Sequence, residues 1–233
     1  MIDFSPAIGT VGGKDFSGQV VVVGARVQRW SVGDSVCGFL YGLDPHVGEK
    51  GWAGAFAHAG YIPLATCSPS NFDLVKSFGA EKAFDYHSPS CGVSIRAFTK
   101  GKLQKALDCI TDSGSMRICY TAMGPRGDQW PALEPPSEKI KQSRKDIEAD
   151  WVMALTIFGK DVDLKGPSGC AATPGDKDWA RSWYTQAEGL VADGFLRPHP
   201  AKLANGNWTD VLQGIDELRS GKVRGVKFVY EID

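Results

Sequence analysis

Short β-branched runs cut by glycine open the chain. In residues 14–37 (KDFSGQVVVVGARVQRWSVGDSVC) two apolar stretches flank the Gly33-Asp34 turn signal, the pattern of antiparallel hairpins in a small barrel. Residues 20–23 (VVVV) followed by Gly24 also match the first strand of a dinucleotide fold. However, Gly24, Ala25, Arg26, Val27, Gln28 and Arg29 lack the spacing G-x-G-x-x-G and do not start a helix, so the hairpin reading is preferred.

After Gly60 the pattern alternates between strand and helix. Residues 61–66 (YIPLAT) form an apolar run that stops at CSPSN, where Ser68 suits an N-cap, Pro69 the first helical position and Gly79 the helix end. KAFDY at 82–86 predicts the next strand. Val93, Ile95, Ala97 and Phe98 mark a helix, and residues 103–110 (LQKALDCI) a further strand. Such alternation predicts a parallel sheet.

Residues 116–123 read as helix and the Pro-rich, charged residues 131–144 as loop. Residues 151–158 (WVMALTIF) fit a strand or a short helix, and periodicity does not decide between them. Beyond the Gly/Pro-rich residues 166–177, read as a surface loop, a long helix over 178–193 puts Trp179, Trp183, Ala187, Leu190 and Val191 on one stripe. Asn207 or Thr209 caps another helix with Val211, Leu212, Ile215 and Leu218 inward, and residues 226–232 close as a strand.

Composition narrows the function classes. The 233 residues are 42% hydrophobic with 7 Trp and 11 Phe, enough for one substantial core or two modest ones. Twenty-six Lys plus Arg against 27 Asp plus Glu, with no long single-sign run, argue against nucleic acid as a partner. The six cysteines are scattered without a Cys-x-x-Cys pair and the four histidines are dispersed, so neither a metal site nor a disulfide framework is expected. With no secretory h-region and no apolar run of spanning length, the chain reads as a soluble, cytoplasmic protein without a membrane partner.

Two motifs carry a family resemblance. Gly13-Lys-Asp-Phe-Ser-Gly-Gln-Val resembles the G-x-D-F-x-G-x-V entry to the barrel of medium-chain dehydrogenases/reductases, and Val32-Gly-Asp-Ser-Val-Cys-Gly is similar to their V-G-D-x-V-x-G hairpin. GYIPLATCSPSNFDLVKSFGAEKAFDY, KALDCIT, WVMALTIFGK and LRSGKVRGVKFVYEI further resemble the zinc-free, trans-acting enoyl reductases of fungal polyketide and polyketide–nonribosomal peptide pathways. The resemblance implies an α/β protein. A partial GroES-like β-barrel domain (1–59, with a contribution from 195–233) joins an incomplete Rossmann-type parallel-sheet domain (60–194). It also implies a monomer that uses NADPH to reduce an acyl carrier-bound enoyl thioester on an iterative polyketide synthase or its nonribosomal peptide hybrid, in secondary metabolism.

The same resemblance assigns residues. Ser68, Pro69, Ser70 and Asn71 follow the strand where the adenosine ribose lies. Hydroxyl and amide donors there, in place of a carboxylate, point to NADP; helix capping alone explains Ser68 and Asn71 as well. Tyr86 is carried over as a contact on the adenine side, with core or rim packing as its alternative. Val223 and Arg224 match the last turn that touches the cofactor, where an exposed basic turn is the other account. Thr156, Ile157, Phe158, Gly159 and Lys160 match the substrate channel, although Phe158 also suits the core. No catalytic residue is assigned. His58 and His199 are read as surface or structural histidines, the Trp residues 179, 183 and 208 as packing, and Cys67 as unreactive.

Two departures from the family pattern bear on activity. Relative to the family, the leading strands of the catalytic domain are expected to be absent. Residues 56–60 (FAHAG) run straight into the second dinucleotide-domain strand, so the first strand, the Gly-rich phosphate loop and the helix behind it are expected to be absent too. In a sheet of order 3-2-1-4-5-6 that strand is central, and residues 20–23 are one candidate to fill its slot. Three readings follow: an active reductase, an inactive relic or accessory protein that docks the synthase or acyl carrier, and a product of a skipped exon or truncated gene model.

Overall fold

The computed structural model describes residues 15–23, 31–39, 61–125, 129–164, 166–197, 199–205, 207–221, 223 and 225–231. The chain divides into two units, Met1–Gly48 and Glu49–Asp233.

In the first unit, β1 (Asp15–Gln19) and β2 (Ser35–Phe39) pair antiparallel from Asp15↔Phe39 to Gln19↔Ser35. The ladder runs on through Val20, whose N–H donates to the Asp34 carbonyl at 2.9 Å and whose carbonyl accepts from Gly33 at 2.8 Å. This is the hairpin read from the sequence. Residues 20–23 do not serve as a parallel strand: Val21 and Val22 are more than four-fifths exposed, at 82% and 81%. The Gly24 to Arg29 segment lies outside the described residues.

The second unit is built from β–α–β steps. β3 (Leu64–Cys67) leads through a 3₁₀ turn, Pro69–Asn71, into α1 (Phe72–Ser77) and returns as β4 (Lys82–Asp85), parallel to β3 with Leu64 opposite Lys82 and Cys67 opposite Asp85. Cys67, Val75, Ala80 and Ala83 fill the space between this helix and its strands. α2 (Cys91–Phe98) turns Ile95 and Cys91 inward toward Phe84 and Ala122.

A second group of parallel strands follows. Lys105 and Asp108 bridge in parallel to Gln129 and Ala132 of β5 (Gln129–Ala132), which pairs in turn with β6 (Glu148–Trp151). The expected strand over 103–110 is thus reduced to bridges. α3 (Ser113–Ala122) and α4 (Glu138–Lys141) are the two connections. The parallel pairs are thus β3 with β4, and residues 105–108 with β5 and β5 with β6; among the described residues, no strand pairs with the other edge of β3.

Trp130 explains why residues 131–144 depart from the expected loop. It is wholly buried with Met123, among Met116, Tyr120, Ala132 and Ile147, and Tyr120 meets it edge to face at 5.0 Å. Burying a ring of roughly 200 Å² at about 25 cal/mol per Å² is worth several kcal/mol. That outweighs the ~1–3 kcal/mol cost of an indole N–H that has no oxygen or nitrogen partner and leans on the Cys119 sulfur. Pro131 sits within β5 and still accepts through its carbonyl from Asp108 at 3.0 Å. The proline signal was therefore outvoted by the apolar residues on either side of it.

Both ends of α3 are held by side chains. At its start Asp112 accepts from the N–H groups of Gly114 and Ser115, each at 2.7 Å, and Ser115 reciprocates to the Asp112 N–H. Buried Asp108 accepts from Ile110, Thr111 and the Ser115 hydroxyl at 2.9–3.1 Å. At the other end, the Arg144 guanidinium donates to the carbonyls of Tyr120 (2.8 Å), Met123 (3.0 Å) and Gly124 (2.5 Å) and pairs with Asp146.

Residues 151–158 resolve into the end of β6 and a 3₁₀ helix, Ala154–Phe158. The 166–177 segment carries a short 3₁₀ turn, Gly166–Ser168, and an antiparallel bridge between Val162 and Cys170. It leads into α5 (Asp176–Ala192). The inward stripe of α5 is shifted from the expected one: Ala180 is buried and Trp183, Ala187 and Leu190 are half-buried, but Trp179 and Val191 are exposed. Trp179 instead stacks on Trp183 at 6.1 Å.

β7 (Ala201–Asn205) and β8 (Lys227–Glu231) pair in parallel around α6 (Trp208–Arg219), which Asn207 caps. Leu212, Ile215 and Leu218 of α6 are exposed, contrary to expectation. The helix meets the strands through Gly214, where an added Cβ would lie 1.7 Å from the Tyr230 hydroxyl and 3.2 Å from the Phe228 ring.

Two predictions follow from this packing. Arg144→Ala should destabilise the protein by about 2–3 kcal/mol in urea unfolding, because three helix-end carbonyls lose their donor, and Arg144→Lys should recover only part of that. The Arg144 guanidinium holds the Asp146 carboxyl below its ordinary range. The Asp146 contribution is therefore present above the usual aspartate pKa and fades as pH falls, so wild type and Asp146→Asn should converge in stability under acid. Secondly, Gly214→Ala should destabilise rather than give the ~1 kcal/mol gain usual for alanine inside a helix, as thermal unfolding would show.

Candidate functional site

The carboxyl ends of β3 and β4 lie side by side because the strands are parallel and in register. Ser68 and Tyr86 each follow directly on those ends. Ser68 is buried, and its hydroxyl lies 3.5 Å from the Tyr86 hydroxyl. Ser68 and Asn71 occupy the cap positions of the 3₁₀ turn and of α1, yet neither side chain makes a capping hydrogen bond. Capping therefore does not account for their polar groups.

The C-terminal segment closes over the same corner. Gly225 has φ +68°, and an added Cβ there would stand 3.2 Å from Asn71 Oδ1 and 3.5 Å from Leu74 Cδ2. Arg197 lies over the Phe78 ring at 5.1 Å, at the far end of α1. Val223, two residues before Gly225, is half-buried, whereas Arg224 lies outside the described residues. The structure thus brings Ser68 to Tyr86, and Gly225 to Asn71, at one corner.

The same corner also holds two residues that the sequence reading passed over. The Asp85 carboxylate accepts from the His87 backbone N–H at 3.0 Å and contacts His87 Nδ1 at 2.7 Å. The His87 ring stacks on Tyr86 at 4.0 Å with the planes 28° apart. The His87 N–H and ring hold the Asp85 carboxyl below its ordinary pKa. The signal was the Asp-x-His spacing directly after a predicted strand.

The second predicted group, Thr156 to Lys160, surrounds the end of the 3₁₀ helix. Thr156 is buried; its hydroxyl donates to the Met153 carbonyl at 2.9 Å and contacts the Asp176 carboxylate at the start of α5. Ile157 and Phe158 are half-buried, and Gly159 and Lys160 are exposed. A separate open cleft of about 560 Å³ lies past the carboxyl ends of residues 105–108 and β5, between Thr111, Ser113, Met116, Pro135, Ile140 and Ser143. It includes none of the predicted residues.

Among the described residues, no group of three or more His, Cys, Asp or Glu side chains could hold a metal ion. Burial pushes the Cys91 and Cys119 thiols above their ordinary pKa, which disfavours thiolate chemistry at both. No helix among the described residues is long and apolar enough to cross a membrane. His58 lies outside the described residues.

No protein-family model matches the chain. Among curated proteins, it is 34% identical to the trans-enoyl reductase apdC of Emericella nidulans, over 99% of this chain and 84% of the relative. The trans-enoyl reductase mpsG of Macrophomina phaseolina is also 34% identical, over 95% and 83%. The first of these alignments runs over 284 positions although this chain has 233 residues, so the relative carries internal residues without a counterpart here. With the trans-enoyl reductase BOA5 of Botryotinia fuckeliana the identity is 43% over 174 residues, covering 75% of this chain and 46% of the relative.

Solved structures share the fold. The JamJ enoyl reductase superposes with a TM-score of 0.64 at 12% identity, covering 99% of this chain and 81% of that one. For the CurF ER cyclopropanase of the curacin A biosynthetic pathway the TM-score is 0.63 at 16% identity, covering 95% and 78%. The fold is α/β, of the GroES-like and Rossmann-type class, and the chain belongs to the trans-enoyl reductase family of medium-chain dehydrogenases/reductases.

Proposed function

We propose that the chain binds NADPH by its adenosine end at the rim formed by Ser68, Pro69, Ser70, Asn71, Tyr86 and Val223, with Arg224 a further contact by family resemblance, and reduces an enoyl thioester presented in trans by a polyketide synthase or its peptide-synthetase hybrid. The observation that carries this reading is a pair of polar side chains not spent on helix capping. The Ser68 hydroxyl and the Asn71 amide sit at the carboxyl end of the second sheet strand, unused in capping, with no carboxylate in the segment 68–71. A carboxylate there would pair with an unphosphorylated ribose and repel a 2′-phosphate; hydroxyl and amide groups accommodate the phosphate.

When bound, the cofactor supplies a hydride for the β-carbon of the enoyl group. What the chain itself contributes is position. Tyr86, fixed by Ser68 on one side and by the His87 ring on its face, presents a rigid aromatic surface to the adenine side. Half-buried Phe158 offers apolar surface to the acyl chain. Thr156, with its hydroxyl committed to Met153 and Asp176, orients the turn that carries Phe158. The partner is a carrier-bound polyketide intermediate, the working compartment is the cytoplasm, and the chain acts as a monomer.

A second reading has its own observation. The relative's internal residues with no counterpart here, and the absence of any G-x-G-x-x-G in the sequence, favour a protein that docks the synthase or carrier without catalysing reduction. Without backbone N–H groups from such a loop, the pyrophosphate would stay solvated and affinity would rest on the adenosine end.

One assay separates the readings. Under the first, intrinsic fluorescence should report NADPH binding at least tenfold tighter than NADH, and an N-acetylcysteamine enoyl thioester should drive NADPH oxidation. A folded chain that ignores both nucleotides would sink it and leave the docking role. Asn71→Ala should weaken NADPH by roughly tenfold, the loss of one hydrogen bond to a charged group. Gly225→Ala, which forces an L side chain to φ +68° against Asn71, should cost roughly 1–2 kcal/mol of stability in urea unfolding and weaken NADPH in parallel.

A further inference from the structure

The His87 imidazole is held on two sides and open on a third. Nδ1 is tied to the Asp85 carboxylate at 2.7 Å, so the ring hydrogen resides on that nitrogen. Stacking on Tyr86 at 4.0 Å fixes the plane of the ring, and Tyr86 is in turn within 3.5 Å of the Ser68 hydroxyl. The side chain is 55% exposed, and Nε2 has no hydrogen-bond partner among the described residues. The segment 68–71 supplies hydroxyl and amide groups but no positive charge.

We infer that His87 is the residue that selects a 2′-phosphorylated adenosine at this rim, its Nε2–H donating to the phosphate when the ring is an imidazolium, with Asp85 and Tyr86 as the residues that position it. This rests on the cofactor reading above and adds, beside the charge that resemblance gives Arg224, a group whose charge depends on pH. The titratable groups facing His87 are Asp85 on its own strand, Tyr86 beneath the ring, and Cys91 at the start of α2, which lies within electrostatic reach of Asp85. None of these carries positive charge.

The sign is opposite to that of a permanent cation. A 2′-phosphate gains its second charge near pH ~6, which strengthens binding to a lysine or arginine as pH rises. Histidine is the side chain that loses its charge between mildly acidic and mildly basic pH. Preference for NADPH over NADH should therefore fall as pH rises from mildly acidic to mildly basic.

The test is to titrate the full chain with NADPH and with NADH between pH 5.5 and 8.5, in wild type, His87→Gln and His87→Lys, with circular dichroism to confirm folding. In wild type the NADPH:NADH affinity ratio should drop about tenfold across that range, the scale of one charge-assisted hydrogen bond. His87→Gln should show the low ratio at every pH, and His87→Lys should keep the high ratio without the fall. If His87→Gln retains the wild-type ratio and pH profile while NADPH still binds, the role of His87 is refuted and the cofactor reading stands. If wild type binds neither nucleotide, the cofactor reading fails and takes this inference with it.

Discussion

Burial of Trp130 is the constraint on which the larger part of the second unit depends. The indole sits where residues 105–108, β5 and β6 run in parallel, and it is covered by Met116, Tyr120 and Met123 from α3. Parallel strands must be covered on their faces, and the cover has to be anchored at both ends to remain in place. Asp112 and Asp108 provide the anchor at the start of α3 and Arg144 at its end, so a residue well beyond β5 in the sequence closes the helix that precedes it. Thr111, with φ +58°, adopts the left-handed region inside the turn that Asp108 ties down.

The candidate rim depends on a different economy of contacts. Strand register alone sets Ser68 beside Tyr86, since Cys67 and Asp85 are paired and each polar residue comes next in its chain. Neither the small core behind them, Cys67, Val75, Ala80 and Ala83, nor the helix caps make any demand on the rim side chains. The Ser68 and Tyr86 hydroxyls and the His87 imidazole are left oriented by one another and by Asp85. A polar cluster of that kind retains capacity for a ligand, because its geometry is set by the backbone and its hydrogen-bonding potential is not used up.

Much of this was legible in the sequence where local signals agree. The strand–turn–helix from Leu64 to Gly79, the helix over α3 and the Asn207 cap all follow from residues a few positions apart. Legibility failed where long-range packing set the outcome. Pro131 lies in a strand because Trp130 and Ala132 bury completely on either side of it. Trp179 and Val191 of α5 and Leu212, Ile215 and Leu218 of α6 are exposed against what periodicity suggests; in α6 the small residue Gly214 makes the close approach. The site segments around Ser68 and Tyr86 were found through family resemblance. Asp85 and His87 were missed because an aspartate and a histidine two apart carry no motif until the strand end places them on Tyr86.

Gly225 has a consequence for how the protein is made. It lies far downstream of Asn71, which it faces, so Asn71 leaves the ribosome much earlier. At 5–20 residues per second, a rough figure for synthesis, the two sides of the rim are separated by on the order of ten seconds. Through that interval β3, α1 and β4 have all their own residues, but the corner they form is one-sided. Completion of the rim therefore waits for Gly225 to emerge, so a nascent chain stalled before that turn would carry the strands of the site without the wall that closes it.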